Sequence, residues 1–147
     1  MFRFRLQTIL DVRKTIEEKA LFEFSEQQQS LQKENALLQS IRERIAGSLE
    51  ALRALQGKTI RTDDITIHTV RISESRKDEE RQIKRIEEAK QVLNAKRQAL
   101  MKAAQDRKSM EVLKEKHLEK YLSAASLAEQ VANDEMTIVR HRRREPQ

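Results

Sequence analysis

Apolar residues recur along this chain at a heptad interval rather than in runs. Counting from Leu10, every seventh residue is Leu10, Glu17, Phe24, Leu31, Leu38, Ile45 and Leu52, and only Glu17 is polar. Three places after each of these runs a second ladder, Arg13, Ala20, Gln27, Glu34, Ile41, Ser48 and Leu55, in which apolar and polar residues are mixed. A strong ladder beside a weak one predicts a helix that buries a narrow seam against another helix, with polar layers that weaken or specify the pairing. Sustained over this length, a seven-residue repeat imposes a left-handed supercoil. The first helix is expected over about residues 4–56, with Thr8 and Asp11 at the spacing of a capping box near its start.

Gly57 breaks the ladder, and the segment over about residues 57–64 reads as a turn, its Thr, Asp63 and Asp64 suiting caps better than helix interiors. Ile65 to Ile72 is rich in β-branched residues and has poor intrinsic helix propensity. No partner strand is evident elsewhere in the chain, so this stretch is assigned to the second helix, expected over about residues 65–140 and followed by a basic tail, 141–147. Ile83, Ile86, Leu93, Leu100 and Ala104 define its seam, which resumes as Leu118, Tyr121, Ala125, Ala128, Ala132 and Val139. Between them the frame carries Arg107, Glu111 and Lys114, with Met110 and Leu113 falling off register. Two long helices joined by one short turn pack antiparallel. The expected fold is therefore all-α, a two-helix antiparallel coiled-coil hairpin in one domain, helix two the longer. At a rise of 1.5 Å per residue, helix one would span about 75 Å and helix two about 110 Å. Helix one would run out opposite a point near residue 115, leaving the end of helix two overhanging.

Composition narrows the functional classes. Of 147 residues, 37% are charged and only 3% aromatic, too few large apolar side chains for a globular core of this length. There is no cysteine, which excludes disulfides and thiolate chemistry. No run of apolar residues is long enough to span a bilayer, and the N-terminus lacks the pattern of a secretory signal, so a cytoplasmic location is expected. The formal charge is +6 and sits at the ends: Arg3, Arg5, Arg13 and Lys14 outweigh Asp11, and Arg140, Arg142, Arg143 and Arg144 outweigh Glu145. In a hairpin both ends come to one side, making a basic docking tip. Terminal arginines also complement a helix dipole, which is the plainer reading of the last run. Without a zipper continuing from a basic region, or an aromatic platform, nucleic acid is not the expected partner.

Several motif fragments do not carry chemistry. Gly57-Lys58-Thr59 resembles the end of a phosphate-binding loop, but Leu52 stands where its first glycine is needed and no strand precedes it. His68, His117 and His141 lie far apart with no ligand set around them. A two-helix coil has no concave pocket for a substrate. No enzyme activity, cofactor or metal is expected.

Two end segments carry a family resemblance. Phe2-Arg3-Phe4-Arg5-Leu6-Gln7-Thr8-Ile9-Leu10-Asp11-Val12-Arg13-Lys14 resembles the opening of the FliJ family of flagellar type III export proteins. Glu111-Val112-Leu113-Lys114-Glu115-Lys116-His117, then Tyr121 and Asp134-Glu135, is similar to that family's C-terminal pattern. The resemblance implies a stalk-like coiled coil that engages the ring of the export ATPase FliI and the export gate protein FlhA, with export chaperones as further partners. It also implies a location at the flagellar base, peripheral to the inner membrane through those partners. Carried onto this chain, the ATPase contacts would be Phe2, Phe4, Leu6, Arg13, Lys14, Leu113, Lys116, His117 and Tyr121. The gate contacts would be Ile67, Val70 and Ile72, in a stretch whose Ile/Thr-rich character departs from the family pattern. Two other readings remain open: a structural coiled coil that homodimerises through the overhang of helix two, and the equivalent stalk of a virulence-type secretion system.

Overall fold

The computed structural model describes residues 2–55 and 62–142, with the side chains of 62 and 139–142 outside that description. Two helices account for the fold, α1 (Gln7–Leu55) and α2 (Thr62–Arg142), and no strand occurs among the described residues. The β-branched stretch Ile65–Ile72 is helical, as tertiary packing overrides a weak local preference. The glycine turn itself lies outside the described residues. Helix two begins at Thr62, ahead of the expected start, and so places Asp63 and Asp64 in its first turn, where their charges favour the N-terminal end of the helix dipole.

The start of α1 corrects one expectation. Thr8 does not cap it: the helix begins at Gln7, and the Gln7 amide nitrogen donates to the Phe4 carbonyl at 3.2 Å while that of Leu10 donates to Leu6 at 3.1 Å. The side-chain amide of Gln7 donates to Asp11 at 2.8 Å, one turn on, so Asp11 partners the helix side chain instead of closing a capping box.

By contacts the chain divides into two compact units, one of residues 18–101 and one joining 1–17 to 102–147. In the first, α1 and α2 run antiparallel, as cross-helix pairs show: Arg42 meets Glu79 at 2.7 Å, Glu34 meets Gln82, and Glu23 meets Lys96 at 2.8 Å, so residue numbers rise on one helix as they fall on the other. Ile41, Ile72 and Ile86 are buried between the helices, and so are the polar residues Ser48, Ser75 and Gln82. Every position of the two α1 ladders in this unit is buried or half-buried, the polar Gln27 and Glu34 included.

The seam of α2 includes the expected Ile86, Leu93 and Leu100 but shifts by one residue on its second ladder, so that Ile83 is outside it. Its inward positions are His68, Ile72, Ser75, Glu79, Gln82, Ile86, Ala89, Leu93, Lys96 and Leu100, alternating steps of four and three. Gln82 is 3% exposed whereas Ile83, expected inside, is 45% exposed. The burial of a glutamine is possible because its amide is satisfied: it donates to the Glu34 carbonyl at 3.0 Å and to the Glu34 carboxylate. His68 is half-buried at the near end of this row, its Nδ1 buried without a hydrogen-bond partner.

In the second unit the same alternation continues through Ala103, Arg107, Met110 and Lys114. Met110 is therefore in register, and Ala104 and Glu111 flank the seam. Opposite them Phe4 and Leu10 are buried, Leu10 almost completely. From residue 115 to 138 every described side chain is exposed, so the pairing of α2 with α1 ends where the length of helix one implied.

Candidate functional site

The residues expected to meet a partner fall mainly in the unit joining both ends of the chain. Phe4 is the anchor, buried at 6% exposure and met edge-on by the His117 ring, centroids 5.7 Å apart at 76°. One turn further along α2, Tyr121 meets Phe2 with centroids 5.6 Å apart and rings tilted by 52°. Such tilted pairs place the positive edge of one ring near the negative face of another and add to the area they bury. Leu6 and Leu113 are half-buried beside this cluster, while Arg3, Arg5, Lys14 and Lys116 are exposed. The structure thus brings Phe2, Phe4, His117 and Tyr121 together. It buries Phe4 as the support of the cluster, so Phe2, His117 and Tyr121 form its accessible surface.

A polar ladder continues inward from the aromatic cluster. Lys114 donates to the side-chain amide oxygen Oε1 of Gln7 at 2.9 Å, and the Nε2 of the same amide donates to Asp11, so one amide bridges both helices. Arg13, expected at a contact surface, is held by Asp106 at 2.6 Å. Arg107 lies between Glu17 across the seam and Glu111 one turn along its own helix. Hydrogen bonding to Glu17, then to Glu111, raises the guanidinium pKa above its ordinary value. Asp106, Gln7 and Glu17 were not candidates from sequence. The only available signal was a seam ladder with a charge at Glu17 where an apolar residue should stand.

The second group of expected contacts lies in the other unit and does not hold together. Ile67 and Val70 are exposed at 56% and 51% and line a shallow surface with Asp63, Thr66, Arg71 and Glu74. Ile72, by contrast, is 8% exposed and faces the seam. A residue on the buried row cannot reach a partner while the helices remain paired, so Ile72 is a core residue.

Of the basic ends, Arg3 and Arg5 are exposed; the side chains of Arg140 and Arg142, and all of Arg143 and Arg144, lie outside the described residues. Among the described residues no group of His, Asp and Glu is placed to hold a metal ion, and no helix is long and apolar enough to cross a membrane.

Two long helices paired along a heptad seam, with an aromatic cluster where the pairing ends, define a two-helix coiled coil. Residues 1–146 match the family described as the flagellar FliJ protein, and the chain belongs to that family. It is a component of flagellar type III protein export. The fold is similar to that of a solved structure from Chlamydia trachomatis described as a YscO homolog, with a TM-score of 0.58 and 18% identity over 97% of this chain and 96% of the other. At that identity the likeness concerns the fold. No curated protein sequence matches the chain.

Proposed function

We propose that this chain acts in the cytoplasm at the flagellar base as a stalk: it binds the ring of the export ATPase FliI, promotes assembly of that ring, and links it to the export gate protein FlhA. The observation that carries this reading is the aromatic cluster of Phe2, Phe4, His117 and Tyr121, built from the two segments that bear the family motif, with exposed Arg3, Arg5 and Lys116 next to its members in the chain. An aromatic centre with such neighbouring cations suits a partner surface rich in carboxylates, with the rings supplying contact area and the charges supplying orientation. The chain has no chemistry of its own to contribute. A single asymmetric hairpin entering a ring of identical subunits makes unequal contacts with them. It favours assembled over free subunits by mass action and biases subunits toward different states through differential affinity. Ile67 and Val70, exposed on α2 near its start, are the residues available for the gate contact.

The test is steady-state ATP hydrolysis by the cognate export ATPase, titrated with the chain and read beside ring formation. A saturable rise in both is expected. Reversing the charge of Arg3, Arg5 and Lys14 should weaken the effect and steepen its salt dependence; a titration unchanged by these substitutions refutes the basic docking surface.

A further inference from the structure

The end of α2 beyond its pairing with α1 is apolar over a broad face and, between Lys120 and Arg140, carries only negative charge. Two adjacent rows run along it with alternating steps of four and three: Leu118, Leu122, Ala125, Glu129, Ala132 and Met136, and beside them Ala124, Ala128, Val131, Glu135 and Ile138. Only Glu129 and Glu135 interrupt these rows. Leu122, Leu127, Val131, Met136 and Ile138 are each more than half exposed. From residue 122 to 138 the ionisable residues are Glu129, Asp134 and Glu135, with no Lys or Arg among them, a net charge of −3. A long helix with this much open apolar surface is under-stabilised by its own sequence and gains by covering it.

The complementary surface lies on the same unit. Ile9, Val12 and Ile16, spaced three and four apart on the outer face of α1, are 46%, 53% and 47% exposed although the opposite face of that helix is seated in the seam. Residues 2–14 carry the exposed cations Arg3, Arg5 and Lys14 against Asp11, while Arg13 is already paired with Asp106. The α2 end leads away from the point where its own α1 begins, so it cannot fold back over this row while it remains helical. A second copy can supply it.

We propose that two copies of this chain associate reciprocally, the acidic apolar end of α2 (residues 122–138) of each docking on the basic Ile9–Val12–Ile16 face of the other. The arrangement is isologous: one two-fold operation closes both contacts at once and leaves neither copy with an open face. Opposite charges set the direction and make the association sensitive to salt. It does not depend on the stalk reading. If that reading also holds, the dimer covers the N-terminal surface assigned there to the ATPase, and the chain outside the ring is held in a form that must separate before it binds.

Sedimentation equilibrium of the full chain reads the proposal without the ATPase. A concentration-dependent dimer is expected, with a dissociation constant at least about tenfold weaker at roughly 0.5 M salt than at 0.05 M. Two variants, E129R/D134R/E135R and R3E/R5E, should each be monomeric with unchanged helical circular dichroism. Mixed, they should dimerise again, because each then offers a surface of opposite sign to its partner. A wild-type chain that stays monomeric at all concentrations overturns the proposal. So does a dimer that survives R3E/R5E, which would mean that the two α2 ends pair with each other. A mixture that remains monomeric overturns the reciprocal geometry.

Discussion

Gln82 offers the sharpest test of how the seam is held. It is a glutamine buried at 3% exposure, on a row where an isoleucine one residue later was available, and its amide donates twice to Glu34. Gln82→Ala removes one hydrogen bond to a neutral carbonyl and one to a carboxylate, worth about 1 and about 1.5–3 kcal/mol in well-buried settings. Glu34 is only half-buried, so water recovers part of the second when the glutamine is gone, and the Glu34 carbonyl has its own helical partner to fall back on. Allowing for that, and for the small void left by truncation, the cost should be about 2 kcal/mol. Gln82→Leu keeps the volume, leaves only re-solvated acceptors behind, and should cost less than about 1 kcal/mol. Urea unfolding followed by circular dichroism on both variants, with Glu34→Ala completing a double-mutant cycle for Gln82→Ala, separates packing from hydrogen bonding. Glu34→Ala keeps the backbone carbonyl, so a coupling energy near zero would refute a contribution from the Glu34 carboxylate, and Gln82→Leu as destabilising as Gln82→Ala would refute the re-solvation of the acceptors left behind.

Other expectations follow from the same geometry. Ile72→Ala should destabilise by about 2–4 kcal/mol as a buried residue, whereas Ile67→Ala and Val70→Ala should stay within about 0.5 kcal/mol; thermal unfolding of the three would expose a misplaced row. The pKa of Glu23 is lowered by its hydrogen bond from Lys96 and by the charge of that lysine. A carboxylate depressed in the folded state contributes stability above its unfolded pKa and loses it as pH falls through the folded one. Glu23→Gln should therefore flatten the acid limb of a stability–pH curve and leave the neutral limb lower but parallel; an unchanged acid slope would show the ion pair to be inert. Phe4→Ala should cost about 3 kcal/mol, as removal of a buried aromatic does. Phe2→Ala and Tyr121→Ala should leave the bulk helix signal intact and, in the ATPase titration, raise the concentration needed for half-maximal effect.

Much of this architecture is local and was legible in the chain itself. The seven-residue ladder from Leu10 to Leu52 identifies α1 and its inward face, because the geometry of an α-helix places those residues on one stripe whatever lies opposite. The scarcity of aromatic residues and the absence of cysteine ruled out a globular core and thiol chemistry by composition alone. The aromatic residues at the two chain ends stood out singly in the motifs. Ile86, Leu93 and Leu100 were also legible as seam residues; what the chain could not disclose is which residues complete the seam beside them on α2. Ile83 is the better hydrophobe, yet Gln82 is buried, because the choice is made by the partner at that level, and there Glu34 offers an acceptor. The inward turn of Ile72 belongs to the same row. The pairing of Phe2 with Tyr121, Phe4 with His117 and Arg13 with Asp106 depends on antiparallel register, a property of two helices together. Periodicity is written into one helix at a time; register and the satisfaction of buried polar groups exist only once the second helix is in place.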